Sequence, residues 1–145
     1  MFKKTGALAL TAAALASGTM LAEPASAAPG TVAGPCSYVC FYYHSGGQGA
    51  TMLWNPGAGW QGIRDLKSST FGNCNINNNA SACDGVGDSV KNNTATVYNG
   101  DFGGHTVAVW YNSDYGGNHY TILNGDTPYQ LGNGLYNQDA SASAW

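Results

Sequence analysis

The hydrophobic residues after residue 28 alternate with polar ones over short runs and never recur with the spacing of a helix. The runs are rich in Val, Thr, Tyr and Trp, which favour strands. Turn sequences such as Gly-Gly, Asn-Gly and Asn-Pro-Gly separate them. This pattern predicts an all-β sandwich of Greek keys, with strands at Tyr38–Tyr43, Ala50–Trp54, Thr94–Tyr98, Thr106–Tyr111 and His119–Leu123.

The first 27 residues have the pattern of a secretory signal peptide. Two lysines precede an apolar run from Ala7 to Leu21, and Ala25-Ser26-Ala27 has the small residues of a cleavage site. The apolar run is shorter than the roughly 20 residues that span a bilayer, and no second run follows. We therefore expect a secreted, extracellular protein with a single domain over residues 28–145.

Charge excludes two classes of partner. The predicted mature chain keeps three basic side chains against seven Asp, and it contains no Glu. It therefore lacks the basic surface to which nucleic acids and anionic membranes bind. We expect a monomer that binds neither.

Four cysteines lie in the predicted mature chain, and an even number in a small secreted chain indicates two disulfides. The sequence permits three pairings. The short spacings favour Cys36 with Cys40 and Cys74 with Cys83. Zinc coordination is the alternative, but neither pair has the C-x2-C spacing of structural zinc sites.

An internal repeat divides the mature chain in two. Tyr42-Tyr43-His44-Ser45, followed by glycines, is similar to Trp110-Tyr111-Asn112-Ser113, which glycines also follow. A second pair of similar segments, Asn92–Val97 and Asn137–Ala142, closes each unit. The repeat predicts Greek-key units at about 36–99 and 101–145, and it places the segment between Cys74 and Cys83 as an insertion in the first unit.

The opening segment of the second unit resembles a known signature. Trp110-x4-Tyr115-x-Gly117 is similar to the aromatic-x4-aromatic-x-Gly signature of βγ-crystallin Greek keys. The resemblance implies a disulfide-stabilised βγ-crystallin-like sandwich of two Greek keys. It also implies a folded-over hairpin whose glycine adopts a backbone conformation closed to other residues, with an aromatic ring packed over it.

More of the chain resembles the secreted actinobacterial peptidase-inhibitor family that uses this fold, whose founding members inhibit metalloproteinases. The resemblance covers both units, and the matching stretches are Cys36-x3-Cys40-x-Tyr42-Tyr43, Ser89–Asn93, Val109–Ser113 with Tyr115 and Gly117, and Ala140-Ser141 through Trp145. It implies a proteinaceous protease inhibitor whose partner is a secreted protease. These residues fix a scaffold, and none of them is an inhibitory contact.

Inhibition requires a rigid exposed loop, because preorganisation lowers the entropic cost of binding. The segment between Cys74 and Cys83 is the candidate, with Asn75, Ile76, Asn77 and Asn78 as contact residues. Ile76 is its single large apolar residue and the expected anchor in a protease pocket. A structural loop held by a disulfide is the alternative interpretation.

The closing segments resemble the calcium signature of βγ-crystallins, Asn/Asp-Asn/Asp-x-x-Ser/Thr-Ser. The resemblance implies weak calcium ligands, with no other cofactor required: Asn92, Asn93 and Thr96 in one copy, and Asn137, Gln138 and Ser141 in the other. Gln138 departs from the signature, and Val97 and Ala142 replace its last Ser. Asp139 adds a nearby charge. Capping of strand ends by these Asn and Ser side chains is the alternative.

A glycan- or cell-wall-binding module is a further alternative, with Trp54 and Trp60 as the aromatic platform. Trp110 opens one repeated motif and Trp145 follows the other, so we expect both in the core.

Catalysis has little support, because no nucleophile, zinc-protease or phosphate-binding motif is present. His44, His105 and His119 lie near turns, where solvated surface residues are the usual case. Asp101 and Asp114 precede aromatic-Gly-Gly sequences and are expected in turns rather than as an acid and base pair.

Overall fold

The computed structural model describes residues 36–57, 61–75, 81–126 and 129–145. The predicted signal peptide lies outside these residues. The described ranges contain eight strands: β1 (Val39–His44), β2 (Gln48–Trp54), β3 (Gln61–Ile63), β4 (Thr96–Asn99), β5 (Val107–Asn112), β6 (Gly116–Ile122), β7 (Tyr129–Gln130) and β8 (Ser141–Ala144). Short 3-10 turns at Leu66–Ser68 and Ser113–Tyr115 are the helical elements of the described residues.

The strands form two antiparallel sheets that exchange one strand each. The first sheet has the order β2-β1-β4-β7, and the second has the order β3-β8-β5-β6. The third strand of each unit therefore pairs with the last strand of the other unit: β3 with β8, and β7 with β4. This is the βγ-crystallin arrangement of two Greek keys, and the predicted fold class is confirmed.

Alternation along the strands places one face of each sheet in the core. Val39 and Phe41 of β1 are fully buried, as are Val107 and Val109 of β5, because residues two apart on a strand share a face. The same holds for the other strands that pack between the sheets, and the core also includes Ala50, Met52, Leu66, Phe71, Val90, Val97, Ile122, Leu131, Leu135, Ala142 and Ala144. The core therefore draws on both units.

Each unit opens with a folded-over hairpin. The register of β1 against β2 shifts between Tyr42 and His44, and that of β5 against β6 shifts between Trp110 and Asn112. Gly49 and Gly117, the signature glycines, have φ of +75° and +76°. A Cβ would lie 2.8 Å from Cδ2 of His44 at Gly49 and 2.8 Å from Nδ2 of Asn112 at Gly117, so the expected positive-φ conformation with little room for a side chain is confirmed. The atoms nearest to Gly117 belong to Asn112 and not to the expected aromatic ring.

Three strands lack a signal in the sequence. β3 and β7 have three and two residues, too few for an alternating pattern to appear. The sequence of β8 is Ser-Ala-Ser-Ala, which contains no β-branched or aromatic residue. Pairing with β5 and β3 orders β8 as a strand, and all four of its residues are buried.

The cysteines pair locally, Cys36 with Cys40 and Cys74 with Cys83, as the spacing predicts. The first pair packs with Tyr42 and Tyr98 in a small cluster of its own. Burial, with Tyr98 nearby, raises the pKa of Tyr42 to about 12.

The two disulfides indicate that the protein folds in an oxidising compartment. Within the described ranges, no helix has the length and hydrophobicity to cross a bilayer.

We expect Gly49→Ala to lower the free energy of unfolding by roughly 1–3 kcal/mol, because alanine is strained at this positive φ and its Cβ would contact the His44 ring. Two controls separate these causes. Gly57 has positive φ and an open surrounding, so Gly57→Ala introduces strain alone, and Gly72→Ala introduces neither. Urea unfolding should rank the losses in that order, and equal stability of all three variants would contradict the hairpin argument.

Candidate functional site

The segment between Cys74 and Cys83 has a fixed stem. The disulfide holds the two Cα atoms 4.3 Å apart, and Asn75 N donates to Ala82 O at 2.8 Å. The Asn75 side chain is buried and donates through Nδ2 to Gly47 O at 2.8 Å. Asn75 therefore joins the segment to the β1–β2 turn. The other three loop residues that the sequence indicates, Ile76, Asn77 and Asn78, lie outside the described residues.

The chain that leaves this stem packs on the first hairpin. Gly85 lies so close to the Tyr43 ring that a Cβ there would be 2.3 Å from Cδ2. Ala50 N donates to Asp84 O at 2.8 Å, and Asp84 Oδ2 is 3.3 Å from His44 Nε2. Backbone, ring and side-chain contacts therefore all hold the base of the inserted segment against β1 and β2.

The two closing segments contact each other reciprocally. Asn92 N donates to Asp139 O at 2.8 Å, and Asn137 N donates to Thr94 O at 3.0 Å. The four residues occupy equivalent positions in the two copies, so the contact has approximate two-fold symmetry. Asn92 and Asn137 both have positive φ, of 61° and 51°, which Asn tolerates better than most residues. These two Asn therefore have backbone roles at the unit interface.

Two candidate calcium ligands keep oxygen atoms without a partner. Thr96 Oγ1 and Asn137 Oδ1 are buried, and within the described residues neither has a hydrogen-bond partner. Thr96 begins β4 opposite Tyr42, near the start of the first hairpin turn. Beside Asn137, the Tyr136 hydroxyl lies 3.5 Å from Ser45 Oγ in that turn. The first hairpin therefore has neighbours in both β4 and the second closing segment, and each of these contains one of the two oxygens.

At the symmetry-related place in the second half, the corresponding groups are engaged in other contacts. Ser141, the counterpart of Thr96, donates through Oγ to Asn112 O at 2.6 Å and accepts from Tyr115 N at 3.0 Å. Lys91 Nζ lies 2.9 Å from Ser113 Oγ and 3.1 Å from Asp65 Oδ1. A fixed ammonium group there opposes a metal cation. The signal for this difference is in the sequence, since Lys91 stands where the second copy has Tyr136.

The remaining candidate calcium ligands, Asn92, Asn93 and Gln138, do not contribute to the Thr96 site. Asn93 donates through Nδ2 to Ser89 O at 2.9 Å and so stabilises its own turn. Asn92 and Gln138 are exposed and line a shallow depression beside Lys91. In the part of the chain that the structure describes, no three His, Cys, Asp or Glu side chains form a group that could hold a metal. A cation at Thr96 would therefore depend on uncharged oxygens.

Asp139 is turned into the interior. It is fully buried, with Oδ2 2.8 Å from Thr94 Oγ1 and Oδ1 accepting from Thr94 N at 3.2 Å. Burial raises the pKa of this carboxyl to about 7, although the hydrogen bonds from Thr94 oppose the shift. In its neutral form the acid donates to Thr94 Oγ1, and that hydroxyl donates to Val90 O at 3.2 Å. Asp139 is thus a structural group of the unit interface.

The three tryptophans that the structure describes have different surroundings. Trp54 packs on the core, with its ring centroid 6.4 Å from that of Phe41, and Trp60 lies outside the described residues. Trp110 is partly buried and donates through Nε1 to Ser143 Oγ at 2.9 Å. Trp145 is 50% exposed, so its expected place in the core is wrong. It follows β8, and its backbone N–H and C=O pair with those of Thr106.

Two of the three histidines lie beside an Asp: His44 beside Asp84, and His105 beside Asp101 with Nδ1 and Oδ2 2.5 Å apart. His119 is exposed and stacks on Trp110. Asp101 and Asp114 both lie in turns, and Asp114 pairs with Arg64 at 3.0 Å.

No protein-family model matches the chain, and no curated protein matches it in sequence. Two mutant forms of a βγ-crystallin domain from Clostridium beijerinckii are similar in structure, with 20% and 18% identity and TM-scores of 0.49 and 0.47. The alignments cover 74% of this chain and 94% and 97% of those domains. The N-terminal domain of protein S is 13% identical with a TM-score of 0.44, over 74% of this chain and 93% of that one. At these scores the fold assignment rests on the strand order.

We expect Asp139→Asn to reduce the pH dependence of stability. The folded protein retains a proton on Asp139 up to about pH 7, whereas the unfolded chain releases it near its ordinary pKa of 3.8. The free energy of unfolding therefore falls between about pH 4 and pH 7, and Asn removes this loss while still donating to Thr94. At pH 8 the variant should be more stable than the wild type by about 2–4 kcal/mol.

Urea unfolding from pH 4 to pH 8 measures this effect, with Asp126→Asn in the turn after β6 as the control. Parallel pH profiles for the wild type and Asp139→Asn would contradict the argument.

Proposed function

We propose that the chain is a secreted protease inhibitor that acts through the segment between Cys74 and Cys83, with metalloproteases as its first candidate targets. The fixed stem of that segment carries the proposal. The disulfide, the Asn75 side chain and the Asn75–Ala82 backbone bond hold its two ends at the hairpin. A loop with a fixed base loses less conformational entropy when a protease cleft closes on it. The inhibitor resemblance of the sequence supplies the class of partner.

Ile76 is the proposed anchor, because it is the single large apolar residue between the bridged cysteines and thermolysin-like proteases commonly bind such a side chain. The short polar and small residues around it offer no competing contact. The partner is one secreted protease molecule per inhibitor monomer.

We expect the mature protein to titrate one class in a panel of thermolysin-like, subtilisin-like and trypsin-like proteases with a stoichiometric end point. Ile76→Asp should raise the inhibition constant at least about 100-fold, since a charge replaces the apolar anchor. Val86→Asp is the matched control: Val86 is 48% exposed just beyond the stem, and the same charge there should leave inhibition unchanged.

Retained inhibition by Ile76→Asp would remove this loop from the proposal and leave inhibition itself standing. Full activity of every protease with the wild-type protein would overturn inhibition as the function.

We also propose a single weak calcium site at Thr96 and Asn137, because their buried oxygens have no partner within the described residues. Calcium takes uncharged side-chain and carbonyl oxygens, so the residues there fit the ion. The related place at Ser141 does not fit, since its hydroxyl is fully engaged and Lys91 supplies a positive charge. The proposal is therefore one calcium ion for two closing segments.

Thr96→Val should abolish calcium binding measured by calorimetry, while Ser141→Ala should leave the stoichiometry at one. Loss of the Thr96 hydroxyl removes an unsatisfied buried group, so the calcium-free variant should be no less stable than the wild type. Two calcium ions per chain, or an unchanged isotherm for Thr96→Val, would contradict the single site.

A further inference from the structure

A cleft at the opposite end of the sandwich lies between two exposed aromatic rings. It has a volume of about 500 Å³, within the range of small-ligand sites, and Tyr38 and Phe102 are among its lining residues. Phe102 is 87% exposed and Tyr38 is 40% exposed. Phe102 lies in the connection between β4 and β5, and Tyr38 immediately precedes β1. The two rings give the cleft apolar faces that are open to a ligand.

The Phe102 side of the cleft is held by hydrogen bonds on both sides of the turn. The buried Asn99 accepts from Asp101 N at 3.3 Å and donates to His105 O at 2.8 Å. Gly104 N donates to Asp101 O at 3.1 Å, and Asn124 Nδ2 donates to the same oxygen. The exposed ring therefore projects from a fixed backbone.

On the Tyr38 side of the cleft, a disulfide and a backbone hydrogen bond fix the chain. The disulfide between Cys36 and Cys40 brackets Ser37 and Tyr38, and Gly100 N donates to Tyr38 O at 3.0 Å. The same glycine lies so close to Cys36 O that a Cβ there would be 2.0 Å from it. Both walls are thus set before a ligand arrives, which lowers the entropic cost of binding.

The polar side chains that line the cleft can form hydrogen bonds with the hydroxyl groups of a ligand. Asp101 Oδ2 is 2.5 Å from His105 Nδ1 and accepts from His105 N at 3.3 Å. Burial opposes ionisation of Asp101, but the bonds from His105 and Gly103 outweigh it and hold the pKa of the carboxyl below its usual value. A carboxylate only accepts hydrogen bonds, so the Nδ1 atom of His105 carries the proton that lies between the two side chains. Asn55 and Ser37 add further polar lining.

The charge of the lining selects the ligand class. Among the described residues that line the cleft there is no Lys or Arg to pair with an anionic ligand. The Asp101 carboxylate is engaged by His105 and its side chain is only 6% exposed, so a cation finds no free negative charge. A sugar ring has an apolar C–H face for an aromatic ring and hydroxyls for the polar lining. We propose that the cleft between Tyr38 and Phe102 binds a neutral oligosaccharide.

The first test follows the imidazole resonances of the mature protein by NMR during titration with chitotetraose, cellotetraose and maltotetraose. The chain has three histidines, and His105 is the one that lines the cleft. We expect a saturable shift of His105 with at least one sugar, at a dissociation constant of about 1 mM or below, while His44 and His119 stay in place. No shift of His105 with any of the three at 20-fold that concentration would overturn the proposal.

Phe102→Ala should weaken sugar binding about tenfold, and Phe102→Tyr should restore it, because either ring can stack on the ligand. The control is Tyr111→Ala, which removes a 44% exposed ring from the other end of β5. Equal weakening by both alanine variants would overturn the cleft as the site. Loss of protease inhibition in Phe102→Ala with unchanged sugar binding would instead identify the turn as a protein contact and also overturn the proposal.

Discussion

The arrangement of the domain depends on the reciprocal contact between its two closing segments. Each segment donates one backbone N–H to the other, from Asn92 to Asp139 and from Asn137 to Thr94. The same segments receive the opening hairpins, because Ala95 N donates to Tyr42 O and Ala140 N donates to Trp110 O. Each closing segment is therefore bonded both to the opening hairpin of its own unit and to the closing segment of the other unit. The exchange of β3 and β7 between the sheets extends this dependence to the edges.

The contact is symmetric in backbone and asymmetric in side chains. Thr94 and Asp139 occupy equivalent positions and bond to each other, so one polar pair at the centre serves both units. Farther out, the copies diverge: the Thr96 hydroxyl has no hydrogen-bond partner among the described residues, whereas Ser141 is bonded on both sides and Lys91 adds a charge beside it. The backbone contacts that build the fold therefore recur in both copies, whereas the side-chain contacts differ.

The two disulfides serve opposite ends of the sandwich. The pair at Cys74 and Cys83 closes the base of an insertion against the first hairpin, while the pair at Cys36 and Cys40 sets the chain that leads into β1. With only 9% charged residues, the protein has few ion pairs with which to order exposed segments. Disulfides and buried Asn side chains order these segments instead of ion pairs. Asn75 does so at one end of the sandwich and Asn99 at the other. The rigid surfaces of the domain are the places where these devices occur.

The sequence by itself determined the all-β class, the local disulfide pairing and the glycine hairpins, because each depends on residues close together in the chain. Alternation marks β1, β2, β5 and β6, and positive φ needs glycine at residues 49 and 117. Only the tertiary structure decided the short strands β3, β7 and β8, since their order comes from pairing across units. It also decided which candidate oxygens stay unbonded and which exposed rings flank a cleft. Lys91 meets Ser113, and Tyr38 is brought to the Phe102 turn, only after distant segments pack, and no local pattern records such contacts.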